Sequence, residues 1–458
     1  MRAIATALQL RGLRLLLGAG LISLTGDWVL RIGLTYYIYV LTGSTLASAT
    51  MLLASFVPQI ALSSLAGVFV DRWDPRRTMI VTNLLLAAGL LPLLAVRDAR
   101  QVWIVYVVIA AEACIQQFFT PAQQSVVPRL VEEQHLVTAN ALNGQAGDVS
   151  RLAGSAAGGV LAAAGGITAV TLTDLGSFLL AVVLIARIPA VGRAAGAGAA
   201  AHGSDPAGAA GTPAAPTTVR ARLVQLRAEW AEGLRLSARQ PVLRVVMTFL
   251  SVTCIGEGIM STLFAPFVRS VLHGSGPDYG VIVAAQAIGG IGGGLIAASA
   301  GSRFRPSWLF GAGAVAFGAI DLALFLYPLA EVAVWPAIVL MIIVGVPGAL
   351  LLAGGMTLLQ TATGDSHRGR VFGALSAIEG VAVVAGTIAA GFLGQSVGII
   401  PVLATQGGGY LAGGIAVLIA LRSQPGTAPA GQPTETAPED APADAAPAAG
   451  GQAASTAA

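Results

Sequence analysis

Long apolar runs separated by short polar turns fill most of this sequence. Twelve runs are long enough to cross a hydrocarbon layer about 30 Å thick, which takes about 20 helical residues. Barrel strands would instead alternate apolar and polar residues over about ten positions, so the pattern predicts an all-helical fold. The predicted spans cover residues 15–41, 46–69, 78–96, 102–121, 138–164, 167–189, 244–270, 279–300, 306–328, 333–360, 370–394 and 401–421.

Composition favours lipid as the solvent of this chain. Of its 458 residues, 55% are hydrophobic and 10% are charged, whereas soluble domains contain about 25% charged residues. The chain has no lysine, which excludes a lysine-dependent phosphate loop and a Schiff-base enzyme. Its four histidines and two cysteines lack the spacing of metal ligands. We therefore expect a membrane protein that is not an enzyme and has no cofactor, no metal and no nucleic-acid partner.

The arginines predict the orientation of the spans, because positive residues remain preferentially on the cytoplasmic side of a membrane. If the N-terminus is cytoplasmic, the opposite loops carry only Arg97, Arg100 and Arg269. The loops on the cytoplasmic side, apart from the central segment, would carry Arg72, Arg76, Arg77, Arg129, Arg303, Arg305, Arg368, Arg370 and Arg422. We expect a multi-pass protein of the cell membrane with both termini in the cytoplasm.

Low-complexity segments divide the chain into four predicted regions. Residues 190–218 are rich in Gly, Ala and Pro and predict a flexible linker, and Leu223, Leu226 and Trp230 then follow a helical spacing. The tail is rich in Ala, Pro and acidic residues, which is typical of disorder. The regions are a six-helix bundle over 1–189, a cytoplasmic linker with an amphipathic helix over 190–243, a second six-helix bundle over 244–422 and a disordered tail over 423–458.

An internal repeat relates the two sets of six spans at an offset of about 231 residues. At this offset the "DRWDP" segment at residue 71 aligns with "SRFRP" at residue 302. Asp27 and Glu257 are separated by 230 positions, and Asp148 and Glu379 by 231. The repeat predicts two pseudo-symmetric bundles, with these four carboxylates at symmetry-related positions near the middle of the membrane.

Charges inside a membrane span are costly, about 2.5 to 3.5 kcal/mol each on insertion scales, so they normally face a protein interior or a watery cavity. Arg31 follows Asp27 by four residues and Arg151 follows Asp148 by three, so these pairs are either structural ion pairs or cavity groups. Asp174 and Asp321 are either structural groups near helix ends or further functional acids. The predicted substrate and proton cavity comprises Asp27, Arg31, Glu112, Asp148, Arg151, Glu257 and Glu379.

The segment "GVFVDRWDPRR" carries a family resemblance. Its Gly67, Asp71, Arg72, Arg76 and Arg77 resemble the G-x-x-x-D-R-x-x-R-R signature of the major facilitator superfamily. The segments "SLTGDW", "LTGS", "PAQQSVVPRLV", "TANAL" and "HRGRVFGAL" resemble the drug, macrolide and siderophore exporter branch. The resemblance implies a cytoplasmic gate in which Asp71 contacts the eleventh span and the arginines pair with loop acids or lipid phosphates. Arginines that only set the topology are the alternative.

Two further interpretations follow from these patterns. The "GGIGGG" run at residues 289–294 lies within a span, so it predicts close helix packing rather than a nucleotide loop. The buried acids and the resemblance together imply a proton-coupled exporter of amphipathic small molecules, such as drugs or secreted metabolites. Its partners would be the substrate, protons and membrane lipid, and we expect a monomer. An importer or lipid flippase of the same fold, and a receptor or scaffold without transport, remain alternatives.

Overall fold

Eleven long helices follow one another in the computed structural model, which describes residues 9–70, 73–131, 136–188, 232–233, 235–300, 303–363 and 368–422. The helices are α1 (Arg11–Thr42), α2 (Thr45–Val70), α3 (Pro75–Leu90), α4 (Val102–Leu130), α5 (Leu136–Ala186), α6 (Pro241–Pro266), α7 (Gly276–Ala300), α8 (Pro306–Leu326), α9 (Trp335–Ala362), α10 (Arg368–Ser396) and α11 (Ile399–Ala420). All eleven are long and apolar enough to cross a membrane, α3 together with the 3₁₀ helix Leu91–Ala95 that continues it. The predicted linker, the tail and most of the predicted amphipathic helix lie outside the described residues.

Helix α5 reverses its direction at Gly166. It is 51 residues long, and Gly166 has non-helical φ and ψ angles of 59° and −150°. The contacts of α5 with α1, in chain order, pair Gly154 with Trp28, Gly158 with Val29, Val170 with Gly33, Asp174 with Gly26 and Leu184 with Gly18. The residue numbers on α1 rise before Gly166 and fall after it. The predicted fifth and sixth spans are therefore two arms, α5a (136–165) and α5b (167–186).

The helix boundaries repeat at the predicted offset. When 231 is added to the first residues of α1 to α4, the results fall within two residues of the first residues of α6 to α9. At the same offset α5 coincides with α10 and α11 together, and Gly166 falls beside Gly398, which has a φ of 105° between those helices. The repeat is thus present in the fold. Twelve membrane crossings stay a prediction, which requires each arm of α5 to cross separately.

The helix ends form two opposite faces. The terminal face carries the first residues of α1 and α6 and the last residues of α11, and the distal face carries the turns at Gly43, Gly166 and Gly398. The described helices belong to one compact unit. Large apolar side chains remain exposed on its surface, including Phe392 at 62% and Ile419 at 70%, as expected of helices surrounded by lipid. Which face is cytoplasmic stays a prediction.

Small residues let the helices approach closely. A Cβ atom on Gly293 would lie 2.8 Å from the Val346 Cα atom, and one on Gly313 would lie 2.9 Å from the Leu351 backbone nitrogen. Gly293 belongs to the glycine run of α7, which packs against α9. The interpretation of this run as a helix contact is confirmed, because no side chain larger than hydrogen fits at Gly293 without a shift.

Replacing Gly166 tests the reversal of α5. Its φ and ψ lie in a region that is essentially restricted to glycine, so we expect Gly166→Ala to destabilise the protein by about 1 to 3 kcal/mol. The measurement is the thermal unfolding midpoint in detergent. Gly176→Ala is the control, because a Cβ atom there meets nothing within 4 Å and alanine favours a helix. Equal midpoints for the two variants would contradict the assignment.

Candidate functional site

Three carboxylates from distant parts of the chain meet inside the first half of the structure, which comprises α1 to α5; the second half comprises α6 to α11. Asp27 comes from α1, Glu112 from α4 and Asp174 from α5b. One carboxylate oxygen of each lies within 4.8 Å of the others, and we call these residues the acid triad. The arm α5b can bring Asp174 to Asp27 because the neighbouring Gly26 has no side chain, and Asp174 and Ser177 pack directly against it.

The acid triad is only partly satisfied by hydrogen bonds. Gln116 donates to Asp27 Oδ2 at 3.5 Å, and the Ser177 hydroxyl donates to Asp174 Oδ1 at 3.0 Å. The other oxygens, Asp27 Oδ1 and Asp174 Oδ2, are buried and have no hydrogen-bond partner within the described part of the chain. An unsatisfied buried oxygen of this kind typically costs about 1 to 3 kcal/mol. The triad therefore has the capacity to accept protons or a cation.

Of the two alternatives for Asp27 and Arg31, a structural ion pair or cavity groups, the close ion pair is not formed. Its guanidinium carbon lies 5.6 Å from the centroid of the Trp28 ring, which is a cation–π arrangement. Between these two described side chains there is no ion pair within 4.0 Å. Arg31 still exerts an electrostatic attraction on Asp27 and Glu112. It is thus a nearby countercharge rather than a hydrogen-bonded partner.

A cavity of about 250 Å³ gives access to two members of the triad. It lies between α1, α2 and α4, and its polar lining includes Asp27, Arg31, Glu112 and Gln116. We call it the acid cavity. Asp174 lies behind Asp27 and has no exposed surface. The triad therefore has two outer acids on the cavity wall and one inner acid within the helix packing.

A second group of acids lies in the second half. The Tyr410 hydroxyl of α11 donates to Glu257 Oε1 of α6 at 2.7 Å. Asp321 of α8 is 2% exposed and is close enough to interact electrostatically with both residues. Glu379 of α10 is half-buried and is close enough to Cys254 of α6 to interact with it electrostatically. These contacts join Glu257 to Asp321 and Tyr410.

The predicted carboxylates are thus distributed between two groups. Asp27 joins Glu112, whereas Glu257 and Glu379 lie in the second half. The Asp148 side chain lies outside the described residues, so a single space shared by all four acids stays a prediction. For Asp174 and Asp321 the sequence allows two interpretations, structural groups near helix ends or further functional acids. Both are buried inside the helix packing, and the only signal for them was an isolated acid in an apolar run.

Arg151 lies in a different cavity, between the two halves. This inter-half cavity has a volume of about 570 Å³, and its lining includes Gln145, Arg151, Gln286 and Phe317. On its distal side α5a and α7 touch, since a Cβ atom on Gly159 would lie 2.9 Å from the Gly280 Cα atom. The cavity therefore lies on the terminal side of a close contact between the halves.

Hydrogen bonds near the distal face also join the halves. Tyr39 and Ser270 share a hydrogen bond of 2.8 Å, and the Thr45 hydroxyl donates to the Gly391 carbonyl oxygen at 2.9 Å. Gln395 Nε2 in turn donates to Ser44 Oγ at 2.8 Å. Together with the Gly159 contact, these bonds hold the two halves against each other at the distal face.

The predicted gate motif is only partly described. Gly67 lies in the last turns of α2, and Asp71 and Arg72 lie outside the described residues. Arg76 donates from Nε to the Ile185 carbonyl oxygen at 3.2 Å and from its terminal nitrogen to the Ala186 carbonyl oxygen. Its partners are thus the carbonyls at the end of α5b, not the loop acids or lipid phosphates expected from the resemblance. A cation at a helix C-terminus is favourable because it complements the helix dipole.

The last residues of this segment form the start of α3. Asp74 caps the helix by accepting a hydrogen bond from the Arg77 backbone N–H at 2.8 Å, and Pro75 occupies the first helical position. Proline and an acidic cap are both favoured at a helix N-terminus. Only the backbone of Arg77 takes part in this cap, and its side chain is exposed.

Comparison with proteins of known sequence and structure agrees with this fold. The chain is 26% identical over 393 residues to the uncharacterized MFS-type transporter YfiS of Bacillus subtilis (strain 168), covering 85% of this chain and 88% of that protein. It is 29% identical over 175 residues to macrolide efflux protein A of Streptococcus pyogenes, covering 37% of this chain and 43% of that protein. The chain thus spans less than half the length of this second relative.

Solved transporters share the fold at low sequence identity. The nucleoside transporter NupG has a TM-score of 0.68 at 13% identity, covering 90% of this chain and 99% of that chain. An inward-facing bacterial homologue of the iron transporter ferroportin has the same TM-score and identity, with coverages of 90% and 98%. The family model of the Major Facilitator Superfamily matches residues 16–265 and 246–454. This chain is therefore a multi-pass membrane transporter that belongs to the major facilitator superfamily.

Proposed function

We propose that this chain exports amphipathic small molecules across the cell membrane in exchange for protons. The observation that carries the proposal is the acid triad, in which three carboxylates lie within 4.8 Å of one another beside a cavity. The similarity to macrolide efflux protein A, over 37% of this chain, supports export and an amphipathic substrate class. The predicted cytoplasmic position of both termini completes the proposal.

Repulsion within the triad makes protons its expected ligands. Two unit charges at about 4 Å interact by about 4 kcal/mol at the effective dielectric constant of a protein surface, so three ionised carboxylates would strongly repel one another. Bound protons remove this repulsion. A calcium ion takes six to eight oxygen ligands, so it would need all six carboxylate oxygens of the triad, and two of these already accept hydrogen bonds from Gln116 and Ser177. Arg31 nearby would also oppose a second cation.

Protonation of the triad supplies a way to couple the movement of protons to the movement of the substrate. When the outer acids bind protons, Arg31 loses its countercharge in the acid cavity and the cost of enclosing that cavity changes. One proton crossing 100 mV releases about 2.3 kcal/mol, which suffices for a concentration ratio of about fifty for a neutral solute. We infer alternating access, in which the halves separate at the distal face once protons and substrate exchange places.

The inter-half cavity is the proposed substrate site. Its volume of about 570 Å³ lies in the usual range of about 300 to 1,000 Å³ for ligand pockets, whereas the acid cavity at about 250 Å³ falls below it. Phe317 offers an apolar surface, and Gln145 and Gln286 offer hydrogen bonds to a polar group. Protons and substrate would accordingly occupy different cavities, and the moving helices would couple them.

Neutralising the triad tests the proton site. We expect Asp27→Asn, Glu112→Gln and Asp174→Asn each to lower the gradient-driven concentration ratio of an amphipathic dye from as much as about fifty toward one. The measurement is dye transport into proteoliposomes with an imposed proton gradient. Movement of dye down its own gradient should persist, because the substrate cavity is intact, and this separates uncoupling from misfolding.

The control for these variants is Glu331→Gln, which neutralises an exposed acid at the distal face. It should transport as the unmodified protein does. Unchanged gradient dependence in all three triad variants would refute the proton site. If a sodium gradient, and not a proton gradient, drives dye transport by the unmodified protein, the coupling ion is a metal cation instead.

The direction of transport has its own test. Cells that produce the protein should accumulate less macrolide or dye than cells without it, and a protonophore should remove the difference because the driving gradient is lost. Higher accumulation in the producing cells would favour import. Movement of a labelled lipid between leaflets, without any effect on dye, would favour a flippase. No movement of any of these would favour the receptor or scaffold.

A further inference from the structure

The outer surface of the first half carries a groove between α3 and α4. Its volume is about 790 Å³, and its apolar lining includes Trp73, Val81, Leu85, Ile115 and Phe118. Trp73 is 52% exposed and stacks on Phe118, with ring centroids 6.0 Å apart. Because the opposite side of α3 is buried in the helix packing, this side faces the lipid. We call this feature the α3–α4 groove.

A basic pocket continues the groove at the terminal face. The pocket has a volume of about 340 Å³, and its lining includes Asp74, Arg76, Arg77 and Arg129. Asp74 and Arg77 also line the α3–α4 groove, so the two spaces adjoin each other. Three positive side chains therefore face one acidic residue at the end of an apolar groove.

Within the described residues, the partners of these side chains leave two arginines available. Arg76 is bound to the carbonyls at the end of α5b, and Asp74 accepts a backbone N–H at the start of α3. Arg77 and Arg129 are exposed, one in the first turn of α3 and the other in the last turn of α4. Their guanidinium groups are suited to phosphate oxygens, with which arginine forms paired hydrogen bonds.

We propose that the basic pocket and the α3–α4 groove together bind one anionic phospholipid. Its phosphate lies between Arg77 and Arg129, and one acyl chain lies along the groove toward Leu85. From Asp74 to Leu85 the groove follows α3 for about 16 Å, at 1.5 Å per residue. Basic pockets between membrane helices recognise anionic head groups in this way. The site is separate from both cavities of the transport proposal and does not depend on it.

Charge decides between lipid classes at this site. A zwitterionic lipid such as phosphatidylcholine has an ammonium group that the arginines repel, so it should bind more weakly than phosphatidylglycerol. A soluble phosphate could occupy the basic pocket but has nothing to place in the groove. Selectivity for the anionic head group and occupancy of the groove are therefore two separate signs of the same ligand.

The first experiment measures the lipid that stays bound to the purified protein by native mass spectrometry. Phosphatidylglycerol should be retained in preference to phosphatidylcholine, and the double variant Arg77→Gln with Arg129→Gln should bind it about thirty-fold more weakly. Arg305→Gln is the matched control, because it removes another exposed arginine of the terminal face. Equal retention of both lipids, or unchanged retention by the double variant, would overturn the proposal.

The second experiment measures lipid binding to the unmodified protein, so it does not depend on how the double arginine variant folds. Phosphatidylglycerol with brominated acyl chains should quench the fluorescence of Trp73. The part of the total tryptophan fluorescence that comes from Trp73 is obtained by subtracting the signal of the Trp73→Phe variant. Brominated phosphatidylcholine at the same concentration should quench it less. Equal quenching by the two lipids would contradict the site. Displacement of bound lipid by inorganic phosphate alone would identify the ligand as a soluble anion and would also contradict it.

Discussion

Hydrocarbon cannot solvate charge, and this constraint governs where the ionisable residues of the described helices are found. Most of the arginines lie at helix ends, where water or carbonyl groups can reach them, as Arg76 is reached by the end of α5b. The acids within the spans cannot use that solution. They are gathered instead inside each half, where a hydroxyl, an amide or a second acid is within reach. The interior of the protein takes the place of water for them.

Much of the fold follows from the sequence because hydrophobic length and glycine act locally. The apolar runs predict all eleven observed helices, and the glycine run of α7 predicts its close packing on α9. The meeting of Asp174 with Asp27 could not be predicted in this way. It depends on the reversal at Gly166, which places α5b against α1, and hydropathy carries no information about which helices become neighbours. The same reason explains why Asp321 was not joined to Glu257.

Arg31 illustrates a second limit of sequence analysis. A spacing of four residues places Asp27 and Arg31 on the same side of α1, and this spacing favours an ion pair. In the structure the guanidinium lies over Trp28 instead. A spacing fixes which side of a helix a side chain occupies, but the rotamer depends on partners from other helices. Glu112, which comes from α4, is one such partner.

The repeat is symmetric in its helices and asymmetric in its chemistry. At the offset of 231, Glu112 and Asp174 correspond to Ile343 and Thr405, and Asp321 and Tyr410 correspond to Leu90 and Leu179. The two halves therefore contain different sets of polar groups on equivalent frames. The duplicated frame is thus common to both halves, while their buried side chains have diverged.

The burial of Asp174 behind Asp27 has a kinetic consequence. An acid without contact to solvent cannot exchange its proton directly, so any proton on Asp174 has to pass through one of the outer acids. In the proposed exchange cycle, loading and unloading then follow a fixed order, in which the proton of Asp174 enters before the outer acids are filled and leaves after they are emptied. Each reset of the proposed cycle would accordingly have to wait for the deepest proton.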